Sequence, residues 1–143
     1  LLVQGIKTLE LRMDKHCTNV MQVASFLNAH NTIEKVYYAG LEDHPDYTIA
    51  QKQMKHPGAM LSFELKGGFE AGKHFINKLQ MCTSAVSLGT CDTLVCHPAS
   101  TTHYGITKAQ REVFGITDGL VRMSIGIENI EDIIKEFERL NEL

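Results

Sequence analysis

Arg122 is the residue with the most chemistry to explain. It stands in L-V-R-M-S-I (120–125), where Val121, Met123 and Ile125 fall on one face of a period-two strand and Leu120, Arg122 and Ser124 on the other. A guanidinium offers a planar fork of donors that matches a carboxylate, so Arg122, with Ser124 or another hydroxyl, could hold the α-carboxylate of an amino acid or a similar anion. The residues alone leave open a plainer reading, in which this face is wet and Arg122 is an ordinary surface charge. Ser87-Leu88-Gly89 joins a polar residue to a glycine where a strand ends, an arrangement that can bring backbone N–H groups to a ligand but also makes common turns.

The run His97-Pro98-Ala99-Ser100-Thr101-Thr102-His103 holds two histidines and three hydroxyls. A Ser or Thr activated by His97 or His103 would be a nucleophile. No G-x-S-x-G context accompanies it, and hydroxyl-rich loops more often bond their own backbone. Cys91, Cys96, His97 and His103 are close enough in sequence to suggest zinc, but structural zinc sites generally bring their ligands as two close pairs, so no metal is expected. Cys17, Cys82, Cys91 and Cys96 form no CxxC pair and read as reduced thiols, with Cys17 and Cys82 as small core residues. P-loop, G-x-G-x-x-G and H-E-x-x-H motifs are missing, so nucleotide and zincin chemistry gain no support.

The elements that must position these residues follow from periodicity. Leu9, Met13, Cys17, Val20, Ala24 and Leu27 mark the stripe of a long leading helix, about 7–28. Ile33–Tyr38 reads as a strand, Tyr47–Met54 as a short helix stopped by His56-Pro57-Gly58, and Ala59–Leu65 as a strand with unequal faces. A second amphipathic helix spans Ala71–Gln80, followed by short strands at Ala85–Ser87 and Leu94–Cys96. Residues His97–Gly105 are irregular, and Thr107-Lys108-Ala109-Gln110 is a capping box that starts a short helix ending before Gly115. The Leu120–Ile125 strand precedes a closing helix with Asn129 as N-cap and Ile130, Ile133, Ile134, Phe137 and Leu140 on its apolar stripe. This order predicts an α+β fold: a small, mostly antiparallel sheet with helices on one face.

The composition is that of an ordinary globular protein. The chain has 143 residues, 43% hydrophobic and 22% charged, one domain's worth. Fourteen basic against seventeen acidic residues give a net charge of −3, without the basic footprint that nucleic acid requires. Apolar runs are too short for a membrane span or a signal segment, so a soluble, cytoplasmic protein is expected. The opening Leu1-Leu2-Val3 has no initiator Met, and a piece of a longer polypeptide is expected.

Ala85-Val86-Ser87-Leu88-Gly89, Asp92-Thr93-Leu94-Val95, His97-Pro98-Ala99-Ser100-Thr101-Thr102-His103 and Gly115–Glu128 occur in that order. Together with Gly5-Ile6-Lys7-Thr8-Leu9-Glu10-Leu11-Arg12-Met13 upstream, this run resembles the C-terminal part of the Cys/Met metabolism (trans-sulfuration) family of pyridoxal-phosphate enzymes, from about Gly5 to Leu140. Pro57-Gly58-Ala59-Met60 and Phe63–Gly68 are most similar to its methionine γ-lyase subgroup. Thr101, where many relatives have Met, and Cys91 and Cys96 depart from the pattern and weaken the subgroup assignment more than the family.

The resemblance implies that residues 1–143 are the small C-terminal domain of a fold-type I enzyme. Its large domain would hold pyridoxal 5'-phosphate and the Schiff-base lysine. No lysine here matches that lysine's motif, so the chain alone should be inactive, with no catalytic or cofactor-binding residue of its own. By the same resemblance, Arg122 binds the substrate α-carboxylate, Ser87 lies beside it and Thr102 supports the site. The implied reaction is α,γ-elimination of L-methionine to methanethiol, 2-oxobutanoate and ammonia by a cytoplasmic homotetramer. The implied partners are a sulfur amino acid and the chain's own N-terminal domain, with neither nucleic acid nor membrane. Alternatives are cystathionine γ-lyase, cystathionine γ-synthase or O-acylhomoserine sulfhydrylase chemistry, or a non-catalytic amino-acid-binding module.

Overall fold

Val121 and Met123, both fully buried, sit at the middle of the sheet, and the fold is built outward from their strand. The structure is a computed structural model and describes residues 1–142. Five strands, β1 (Ile33–Tyr37), β2 (Met60–Leu65), β3 (Thr83–Ser84), β4 (Leu94–Cys96) and β5 (Leu120–Ser124), form one sheet in the order β1-β2-β5-β4-β3. All neighbours are antiparallel except β3 and β4, which run parallel. The register sets Ser62 of β2 and Cys96 of β4 on either side of Arg122, and Met60 and Leu94 on either side of Ser124. Because successive strand residues face opposite ways, Leu61, Phe63, Val95, Val121 and Met123 share the inner face, and Arg122 and Ser124 share the outer one.

The inner face is covered by α2 (Leu9–Asn28), α4 (Gly68–Lys78) and α6 (Ile130–Phe137), which bury Val20, Val23, Ala24, Leu27, Phe75, Ile133 and Phe137 in one cluster with it. Phe63 meets Phe75 and Phe137 edge-on, with ring centroids 5.9 and 6.3 Å apart, while Phe75 and Phe137 stack at 5.9 Å. Such pairs contribute about 0.5–1.5 kcal/mol each beyond the area they bury. The α+β arrangement expected from the sequence is the one observed. The two predicted caps are also present: Thr107 and Gln110 complete the capping box of α5 (Lys108–Val113), and the Asn129 side chain accepts the Glu131 N–H. Among the described residues, no helix is long and apolar enough to cross a membrane.

Some boundaries differ from expectation. A short helix, α1 (Leu2–Ile6), precedes α2, which starts at Leu9, and the helix expected at Tyr47–Met54 is α3 (Tyr47–Gln53). None of the residues of α1 is buried, so it has no burial pattern to betray it. Leu9 and Met13, expected on the buried stripe of α2, are exposed; burial begins at His16 and Cys17. Helix α4 starts three residues earlier than predicted, at Gly68, because Gly67 and Gly68 both adopt positive φ and turn the chain directly into it. The strand expected at Ala85–Ser87 lies instead at Thr83–Ser84. Its ladder ends with Ala85 N–H on the Val95 carbonyl at 3.0 Å, beyond which the polar groups of the chain bond side chains of β5. A one-turn 3-10 helix at Pro98–Ser100 interrupts the irregular 97–105 stretch, and a second, Glu138–Glu142, continues α6 and buries Leu140.

Candidate functional site

Arg122 projects from the middle of β5 away from the core, and residues 86–89 cross above it. Its Nη2 donates to the carbonyls of Val86 at 3.1 Å and Ser87 at 2.8 Å. The guanidinium is therefore half-buried and held in place, unlike a surface charge on a wet strand face. Both bonds leave from Nη2, and among the described residues the buried Nε has no hydrogen-bond partner. Among the described residues no carboxylate pairs with Arg122. Arg111, by contrast, is paired with Asp118, and Arg139 approaches Glu136 at 3.3 Å. Two neutral carbonyls take up Nη2 and orient the cation without cancelling its charge, which leaves the Nη1 donors for an anion.

Ser87 is brought to Arg122 as expected, but through its carbonyl; its side chain is exposed. Ser124 does not bond Arg122. Its hydroxyl accepts the Gly89 N–H at 3.0 Å, fastening the far end of the same segment. Thr102 sits on the exposed turn after Pro98–Ser100, with its hydroxyl 2.7 Å from His103 Nδ1, and among the described residues no hydrogen bond links it to Arg122 or Ser87. The hydroxyls of the 97–103 run serve the loop itself. Thr101 donates to the His97 carbonyl at 2.8 Å, and Ser100 lies 2.8 Å from His97 Nδ1. His97 is fully buried with its Nε2–H donating to the Asp118 carbonyl at 2.7 Å, and burial pushes its imidazole below the ordinary histidine value. His97, shut off from solvent, thus ties the Ser100 hydroxyl to the Asp118 carbonyl and holds the loop together. Among the described residues no three His, Cys, Asp or Glu side chains gather as metal ligands.

A cleft of about 210 Å³ opens beside the 86–89 segment, between Leu88, Gly89 and Ser124 on one side and Leu9, Arg12, Met13 and His16 of α2 on the other. Sequence reasoning missed the α2 side of this cleft. The only available signal was two polar residues, His16 and Asn19, flanking the buried stripe. His16 Nδ1 donates to the Ile125 carbonyl at 2.6 Å, and Asn19 Nδ2 to those of Gly126 at 3.1 Å and Glu128 at 2.9 Å, which pins α2 to the end of β5.

Pyridoxal phosphate needs a lysine whose amine can shed its proton, which burial favours. Every lysine among the described residues is exposed, and carboxylates push Lys55 and Lys108 above the ordinary lysine value. These residues therefore do not make a pyridoxal phosphate site by themselves.

The sequence profile of the family described as Cys/Met metabolism PLP-dependent enzyme matches residues 1–140. The chain is 60% identical over 138 residues to an L-methionine gamma-lyase of Fusobacterium nucleatum subsp. nucleatum, covering 96% of this chain and 35% of that protein. Its fold matches cystathionine gamma synthase from Xanthomonas oryzae pv. oryzae, solved with aminoacrylate and cysteine, at a TM-score of 0.89 and 41% identity, covering 97% of this chain and 36% of that one. It likewise matches cystathionine gamma-lyase from Lactobacillus plantarum, solved with L-serine, at 0.89 and 40%, again over 97% and 36%. The chain thus spans about a third of the length of the relatives it matches. With its motifs in order and its sheet and helices superposable on theirs, this chain belongs to the Cys/Met metabolism family of PLP-dependent enzymes.

Proposed function

We propose that this chain is the small C-terminal domain of a PLP-dependent carbon–sulfur lyase and that its part in the reaction is to bind the α-carboxylate of a sulfur amino acid through Arg122. The observation that carries the proposal is a half-buried guanidinium held by two backbone carbonyls and, among the described residues, left without a carboxylate partner. A substrate carboxylate supplies the missing anion. Fixing it restricts rotation of the amino acid and presents its α-carbon in one orientation, a gain of the kind that converts binding energy into rate. Ser87 contributes the carbonyl that aims Arg122, and Thr102 a supporting position at the edge of the loop.

The electron-sink chemistry belongs to pyridoxal phosphate, which in this reading is held by residues outside this chain. The higher identity to the methionine gamma-lyase than to the cystathionine enzymes supports L-methionine as substrate, with methanethiol, 2-oxobutanoate and ammonia as products. The reading takes over the family's cytoplasmic homotetramer. In the full-length holoenzyme carrying this domain, Arg122→Ala should raise KM for methionine at least tenfold, the order expected for loss of a charge-assisted bond, and leave the bound-cofactor absorbance intact. Unchanged kinetics would overturn the carboxylate role. Comparing methanethiol release with cystathionine cleavage tests the substrate.

A further inference from the structure

Two side chains of β5 hold one segment of chain. Arg122 bonds the carbonyls of Val86 and Ser87, and two residues along the same face Ser124 accepts the N–H of Gly89 at 3.0 Å. Among the described residues, no backbone–backbone hydrogen bond involves residues 86–89; the last one before them is Ala85 N–H on Val95. The segment is therefore a strap, tied near one end by a guanidinium and at the other by a hydroxyl. Gly89 has φ +80° with open space where a side chain would go, so its conformation turns the strap and does not fill a pocket.

The two ties differ in rigidity. Ser124 is 2% exposed and sits between β2 and β4, in register with Met60 and Leu94. The next residue, Ile125, is held by His16 through its carbonyl and by Ala59 through its N–H. Arg122 reaches the strap on a long, jointed side chain whose guanidinium takes its direction from the carbonyls it bonds. Ser124 is the fixed post, and the height of Gly89 above it limits where the Val86 and Ser87 carbonyls can lie.

We infer that Ser124 is a positioning residue for the carboxylate site: its bond to the Gly89 N–H holds the Val86 and Ser87 carbonyls over Arg122 and so aims the guanidinium. The inference rests on the reading of Arg122 given above. Ser124→Ala removes the tie and leaves Arg122 chemically intact, so the fork is present but less often aimed.

The test uses the full-length holoenzyme. Ser124→Ala should raise KM for the amino-acid substrate about five- to tenfold, the size of one lost neutral hydrogen bond, with kcat within about twofold. Ser124→Thr, which restores the hydroxyl, should recover most of the loss. Amide exchange of the peptide containing residues 86–89 should accelerate in the Ala variant, with cofactor absorbance unchanged. Should the Ala variant not fold, Ser124→Cys keeps the size, weakens the acceptor and should give a smaller KM shift of the same sign. If Arg122→Ala raises KM but Ser124→Ala changes neither KM nor exchange, the positioning role is overturned and the carboxylate reading stands. If both variants leave KM unchanged, both fall. A loss confined to kcat would also overturn the positioning role.

Discussion

Glu128 accepts the backbone N–H of Thr93 at 2.5 Å with one carboxylate oxygen and the Thr93 hydroxyl at 2.9 Å with the other. The Thr93 hydroxyl oxygen in turn accepts the Gly126 N–H at 2.9 Å. This closed circuit joins the chain entering β4 to the chain leaving β5. Thr93 is fully buried, so removing the acceptor strands its donors. Glu128→Ala should destabilise the fold by about 2–3 kcal/mol, within the range for bonds to a charged group. A denaturant titration with unchanged slope and a loss of unfolding free energy below about 0.5 kcal/mol would contradict this account.

Arg122→Lys keeps the charge and loses the planar fork. An ammonium that donates to both carbonyls keeps a single further donor on a flexible stem, whereas the guanidinium, with Nη2 on the carbonyls, keeps the Nη1 pair in a fixed plane. The Lys variant of the holoenzyme should therefore show a KM for the amino acid closer to that of Arg122→Ala than to the parent. Steady-state kinetics decide it, and a Lys variant within twofold of the parent would show that charge alone suffices.

His97 gives the fold a pH dependence whose sign can be worked out. Its value in the folded chain lies below the unfolded reference, chiefly through burial, so the unfolded chain takes up the proton first as pH falls. The stabilisation is complete above about pH 6.5, the unfolded value, and is lost as pH drops toward the folded one. Asp118, held low first by Lys108 and then by Arg111, adds a loss of the same sign only below about pH 4, near the unfolded aspartate value. An imidazole resonance of His97 that titrates at or above 6.5 would rule this out.

Gly72→Ala sets two effects against each other. In a helix interior alanine is favoured over glycine by about 1 kcal/mol. Here an added Cβ would lie closer than 3.0 Å to three atoms of the His97 ring, which Ser100 and Asp118 hold from both sides. Overpacking of this kind costs about 1–3 kcal/mol, so the substitution should destabilise despite its helix preference. A rise in melting temperature would show that the ring can move aside.

Periodicity and capping made most of the fold legible. The strands at Met60–Leu65 and Leu120–Ser124 alternate plainly because one face is buried, and α6 shows its stripe, its Asn129 cap and its early acids. Helix α1 and the true start of α4 were not legible, since one buries nothing and the other begins on two glycines in positive φ. The strand expected at Ala85–Ser87 fits β-propensity equally well but has no open ladder there once Arg122 and Ser124 take its polar groups.

By sequence, then, Arg122 could be assigned to the outer face of a strand and its run of motifs to a family, because both depend on local spacing and motif order. Whether that face lies open or beneath a strap of chain depends on contacts between Arg122 and residues 35 and 36 positions away, and those form only when the strands pair. The tertiary structure alone decided that Ser87 meets Arg122 through its carbonyl and that Ser124 bonds Gly89. A residue's type limits which hydrogen bonds it can make, whereas the fold determines which partners come within 3 Å of it.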